Sequence, residues 1–147
     1  MKNLLNTKIN LGLDGEISFK DSNYWIILGD LNFRVEMDYE PIMALIEKNN
    51  LYEILNNDQF YKNRSMDNDF NLINEGNITF NPTYKFMKDS NNYINVKMKT
   101  KIPSYTDRIF YGKNKGITNI YYNSINNIKY SSHKPVIGVF EICLDEL

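Results

Sequence analysis

The chain has 147 residues, of which 42% are hydrophobic, 24% charged and 14% aromatic, enough apolar material for one core and too little length for two independent domains. With 17 basic against 18 acidic residues the formal charge is −1, so whole-chain electrostatics gives no reason to expect a nucleic acid or an anionic membrane as partner. The single cysteine, Cys143, excludes an internal disulfide and a thiolate zinc site.

Residues 1–23 carry no strong period and end in a turn-like cluster, Lys20-Asp21-Ser22-Asn23. The first ten residues alternate apolar and polar without the hydrophobic stretch of a signal peptide, and no later run approaches a membrane span. The expected setting is therefore soluble, reducing and cytoplasmic. Residues 24–28 form a short aromatic and branched run that reads as a buried strand, closed by Gly29-Asp30. A helix is predicted from Asp38, which can cap it, with Glu40 and Pro41 in its first turn and Ile42, Leu45 and Ile46 at helical spacing up to Asn49-Asn50.

A short helix over 51–55 and a polar amphipathic stretch over 58–66 follow. Beyond Asn68 the pattern changes to short strands at 77–80, 83–86, 108–111, 117–122 and 135–142, the last being the most strand-like. Helices first and strands later, without alternation, point to an α+β layer structure and away from repeats or a doubly wound sheet. About one residue in six is asparagine, read as loop and helix-end filling because this side chain tolerates left-handed backbone and caps helices.

Four segments place charged and polar groups at the ends of predicted strands, where a scaffold presents them to solvent. They are Gly29-Asp30-Leu31-Asn32-Phe33-Arg34, Pro82-Thr83-Tyr84-Lys85-Phe86, Pro103-Ser104-Tyr105-Thr106-Asp107-Arg108-Ile109 and Ser132-His133-Lys134-Pro135-Val136. Singly, each has an ordinary explanation as a turn or a solvated strand end. In this order they resemble the C-terminal half of the catalytic domain of inositol polyphosphate 5-phosphatases, within the superfamily of endonucleases, exonucleases and phosphatases. The resemblance runs from residue 24 to the end of the last strand, and leaves 1–23 as an unassigned N-terminal segment and 24–147 as that half-domain. It implies part of a four-layer α/β/β/α sandwich, incomplete here, which pairing with another chain would complete.

The resemblance also implies a chemistry, the magnesium-assisted hydrolysis of the 5-phosphate of phosphoinositides or inositol polyphosphates, with peripheral membrane contact and no nucleic acid. Asp30 would serve as base toward water, Asn32 would donate to a phosphate oxygen, His133 would stabilise charge developing on the phosphate, and Asp107 would hold the imidazole in one tautomer. Tyr84, Lys85, Lys99 and Lys101 match positions that in the family read the neighbouring phosphate of the ring. Alternating Lys97, Lys99 and Lys101 equally suits a protected strand edge.

Three positions depart from the family pattern: Ser132 stands where an aspartate precedes the histidine, Lys101 replaces arginine, and Tyr105 replaces tryptophan. The metal-binding glutamate of the family belongs to the N-terminal half and has no match in residues 1–23, so the metal ligands stay unassigned. An alternative is a catalytically impaired remnant that still grips phosphoinositide headgroups. A nuclease of the superfamily or an inactive structural fragment are further readings.

Overall fold

The structure is a computed structural model that describes residues 7–10, 15–18, 22, 24–66, 68–95, 101–112 and 116–143. Among them, β1 (Lys8–Asn10) and β2 (Glu16–Ser18) form an antiparallel hairpin closed by a Lys8–Glu16 ion pair of 3.1 Å. Strands of three residues are too short to leave a period in the sequence, so this hairpin was not legible there.

Three helices follow β3 (Ile26–Asp30). The first, α1 (Tyr39–Glu47), buries Tyr39 and Ile42, and Asp38 precedes it in extended backbone without making the side-chain cap expected of it. Two residues past α1 stands Asn49, whose φ of +52° is the left-handed conformation that asparagine tolerates. Asn50 then caps α2 (Leu51–Asn56), its side-chain oxygen accepting from the Glu53 N–H at 3.3 Å. α3 (Gln59–Met66) leads through a 3₁₀ turn (Asn68–Leu72) into β4 (Ile73–Glu75).

The central sheet has the order β3-β5-β4, all antiparallel, with β5 (Asp107–Gly112) in the middle. β6 (Ile117–Ser124) and β7 (Val136–Ile142) form a separate antiparallel pair with an irregularity between Asn119 and Tyr121. The architecture is α+β, as expected. Segments 77–80 and 83–86 are not strands. Ile78 and Phe80 are buried in the core on irregular backbone, and Tyr84 and Phe86 make only isolated bridges. Their apolar side chains supply burial without a ladder.

Directly opposed residues on neighbouring strands share a sheet face. On one face of the sheet, Ile27 and Phe110 join Phe60, Phe70 and Ile73, with Phe60 and Phe110 stacked at 4.3 Å. On the other, Ile26, Leu28 and Asp30 lie beside Tyr111, Ile109 and Asp107. Here β7 brings Phe140 onto Tyr111 and Ile109 into the larger core around Ile42, Ile54 and Tyr105.

The strand expected to be buried is therefore a sheet edge, with Leu28 69% exposed and Ile26 37% exposed. β7, the most apolar run, also leaves Ile137 and Val139 outward. These side chains have the hydrophobicity of a covered layer, and no described segment covers them.

Candidate active site

β3 ends in Gly29-Asp30, and Gly29 has a φ of +136°, a conformation that side chains rarely adopt. The chain then turns tightly: the Asn32 N–H donates to Asp30 Oδ1 at 3.0 Å, and Asn32 itself takes φ +60°. The Leu31 N–H donates to the Thr106 carbonyl at 2.7 Å, which ties this turn to the segment entering β5. The register of β3 against β5 sets Asp30 directly opposite Asp107.

His133 reaches the same place from the other end of the chain. Its Nδ1 lies 2.8 Å from Asp107 Oδ2, and the Thr106 hydroxyl donates to that same oxygen at 2.8 Å. A carboxylate accepting from Nδ1–H fixes the tautomer and leaves Nε2 as the free ring nitrogen. The pair is partly exposed, 30% for His133 and 23% for Asp107. Asp30, Asp107 and His133 each bring a ligand atom within 4.8 Å of the others.

Tyr84 joins the site through two backbone bridges, to Ser104 and to His133. Its ring lies 4.7 Å from the imidazole, with the Arg34 guanidinium 4.7 Å and the Lys85 ammonium 5.5 Å from its centre. Backbone bonds from Phe86 to Ser132, Asp89 to Lys129 and Lys134 to Thr83 lace segment 83–89 to 129–134. The buried Lys134 ammonium strengthens this seam by donating to the carbonyls of Ser90 (3.1 Å) and Ile128 (3.0 Å). Burial, with Lys129 nearby, draws its pKa below the ordinary lysine value.

A buried ion cluster underlies the sheet on its opposite face. The Arg108 guanidinium donates to Asp58 Oδ1 at 2.6 Å and to both Glu75 oxygens, at 2.9 and 2.6 Å, among the rings of Phe33, Phe60, Tyr61 and Phe110. The Tyr122 hydroxyl completes it, donating to Glu75 at 2.9 Å and accepting from the Ile109 N–H at 3.2 Å. Gly76 permits that approach, since a Cβ there would come within 2.6 Å of Tyr122. Burial raises the Asp58 pKa despite Arg108, and Asp58 Oδ2 has no hydrogen-bond partner among the described residues.

Asp30, Asn32, Tyr84, Lys85, Asp107 and His133 are thus brought together as the sequence suggested. Lys101 is half-buried, and among the described residues no hydrogen bond or ion pair joins it to the site; Lys97 and Lys99 lie outside the described residues. Ser132 contributes its carbonyl to Phe86, while the neighbouring Ser131 hydroxyl accepts from the His133 N–H at 3.1 Å. Sequence reading overlooked Thr106 and Arg34. The signal for both was adjacency, one before Asp107 and the other two residues after Asn32.

Two carboxylates, an amide and a steadied imidazole at one end of an α+β layer have the make-up of a metal-assisted hydrolase. The model of Endonuclease/Exonuclease/phosphatase family 2 matches residues 2–139, and the chain belongs to that family. Synaptojanin of Caenorhabditis elegans is 31% identical over 137 residues, covering 92% of this chain and 12% of that protein.

Among solved structures, the inositol polyphosphate 5-phosphatase domain of a synaptojanin, in complex with inositol (1,4)-bisphosphate and calcium ion, superposes with a TM-score of 0.69 at 28% identity, over 85% of this chain and 38% of that one. A Cimex nitrophorin, a ferrous NO complex, superposes at 0.72 with 33% identity, over 84% and 43%. The chain thus spans less than half of each of these relatives. The resemblance to inositol polyphosphate 5-phosphatases read from the motifs is borne out.

Proposed function

We propose that residues 24–147 are the C-terminal half of a 5-phosphatase domain, and that its chemistry is hydrolysis of the 5-phosphate of phosphoinositides or inositol polyphosphates. The observation that carries this reading is the meeting of His133, held by Asp107 at 2.8 Å, with Asp30 and with the Tyr84–Lys85 pair. The synaptojanin domain solved with inositol (1,4)-bisphosphate supports the substrate class. The nitrophorin likeness is one of fold, so function rests on the site residues.

In this reading Asp30 orients and deprotonates water, and the Asn32 amide donates to a phosphate oxygen. His133 Nε2 donates to the phosphate as charge builds on it, while Asp107 and Thr106 keep the ring in place. Tyr84 and Lys85, with Lys99 and Lys101, hold the adjacent phosphate of the ring.

The donor set fits magnesium, a hard ion that takes one or two carboxylates and fills its sphere with water and substrate phosphate. Asp107 Oδ2 already accepts two hydrogen bonds, so Asp30 is the carboxylate that would face it, through the water that Asp30 orients. Bound there, magnesium would polarise the phosphate and lower the pKa of water.

The open apolar side chains Ile26, Leu28, Ile137 and Val139 support a second part of the proposal, that the other half of the family's sandwich covers them. We place the protein in the cytoplasm, visiting membranes peripherally; no described helix is long and apolar enough to cross one.

The test is phosphate release from a 5-phosphorylated inositol lipid and from its soluble headgroup, with magnesium and with chelator. Release that needs magnesium, and that Asp30→Ala or His133→Ala removes while Lys85→Ala mainly raises KM, is the expected result. No release from folded chain, alone or with a supplied N-terminal half, would overturn it.

A further inference from the structure

Arg34 touches both halves of the site. Its backbone is fixed on each side: the N–H donates to Gln59 Oε1 at 3.0 Å, the carbonyl accepts from the Gln59 N–H at 2.9 Å, and the next residue, Val35, donates to the buried Ser104 hydroxyl at 3.1 Å. From that base the guanidinium extends in two directions. Its Nη2 donates to the side-chain oxygen of Asn32, and its Cζ lies 4.7 Å from the centre of the Tyr84 ring.

These contacts constrain Asn32 in a way its own turn does not. The backbone N–H of Asn32 is occupied by Asp30, but that bond leaves the side-chain amide free to flip its oxygen and nitrogen. A guanidinium has donors only, so it can be satisfied only by the amide oxygen. The nitrogen of Asn32 must then point elsewhere, as a donor. The same guanidinium meets Tyr84, whose ring also contacts His133 at 4.7 Å.

We propose that Arg34 is a positioning residue that locks the Asn32 amide in its donating orientation and links it to the Tyr84 ring. The proposal rests on the phosphatase reading for its consequence and on geometry alone for the coupling. A lysine could keep the charge, but a single ammonium lacks the several donors of a guanidinium that reach Asn32 while the group stays over the Tyr84 ring.

The coupling is read first without turnover, from the side-chain amide signals of Asn32 in nitrogen-15 spectra of the full chain, assigned by their loss in Asn32→Asp. Arg34→Gln is expected to move these signals and the Tyr84 ring protons, and Arg34→Lys to restore neither. Arg34 is half-buried and outside both core clusters, so both variants are expected to keep the fold, which thermal unfolding of each checks. Unmoved Asn32 signals in Arg34→Gln would overturn the proposal.

Turnover then supplies the second reading. Arg34→Gln should lower kcat about tenfold, a fraction of the loss seen when a transition-state donor is removed outright, and should cost nothing further on an Asn32→Ala background. Independent, multiplying losses would overturn the coupling. A wild-type chain without turnover in any pairing would refute the phosphatase reading and leave the amide spectra to decide the coupling.

Discussion

Asp30 and Asp107 are directly opposed across the antiparallel strands β3 and β5, so two carboxylates share one sheet face beside a single imidazole. Like charges set opposite each other weaken a strand pair. His133 and Thr106 relieve Asp107 by donating to it, and Asp30 is left as the exposed partner.

Asp30→Asn is therefore expected to raise the unfolding temperature slightly while abolishing turnover. Millimolar magnesium should stabilise the wild type and not this variant, by linkage of binding to folding. Thermal unfolding with and without the ion checks both; equal magnesium shifts in the two proteins would remove Asp30 from the cation site.

Asp107→Asn keeps the shape of the residue but weakens its hold on the ring. Partners of this kind are worth about 10- to 100-fold in activity, and the loss should appear in kcat with little change in KM. Thr106→Val, which removes one donor to Asp107, should have a smaller effect in the same direction. Steady-state kinetics on both variants distinguishes them.

Arg108→Met strands two buried carboxylates, Asp58 and Glu75, and is expected to cost about 3–5 kcal/mol, as for other broken buried pairs. Tyr122→Phe removes one donor to Glu75 and should cost about 1–3 kcal/mol. Urea unfolding measures both, and a tolerated Arg108→Met would mean the cluster is dispensable.

The pH dependence of the same cluster has a definite sign. Burial raises the folded pKa of Asp58 above its unfolded value, so its contribution to stability is full below the unfolded value of about 3.9 and is lost as pH rises through the raised folded value. The wild type should gain stability relative to Asp58→Asn as pH falls from 7 toward 4. Parallel urea titrations at stepped pH check this, and a constant difference would contradict it.

Lys134→Met should loosen the seam that carries His133, because the carbonyls of Ser90 and Ile128 lose their donor. Faster hydrogen exchange at the amides of Phe86 and Asp89, which bond across the same seam, is the expected readout.

The first helix was legible because Ile42, Leu45 and Ile46 recur at helical spacing, and α2 lies where a short helix was expected, whereas α3 is a polar helix without an apolar stripe. The chemical residues Asp30, Asn32, Tyr84, Lys85, Asp107 and His133 were legible because they lie in motifs whose order resembles that of the inositol polyphosphate 5-phosphatases, while each motif alone reads as an ordinary turn or strand end. The burial of strands was misread. Residues 24–28 have the composition of a covered strand, but composition cannot say whether a second layer lies over it, and Leu28 is open.

Other features needed the tertiary structure altogether. Asp58 begins the polar stretch 58–66, yet it is fully buried against an arginine 50 residues away. Arg34 gains its place only when segments 30–34, 84–85 and 133 converge. Local sequence determined the first helix and the longer strands and supplied the reactive groups. The long-range strand register and the buried pairing of Arg108 decided which of those groups meet, because such pairing energies arise only between segments distant in the chain.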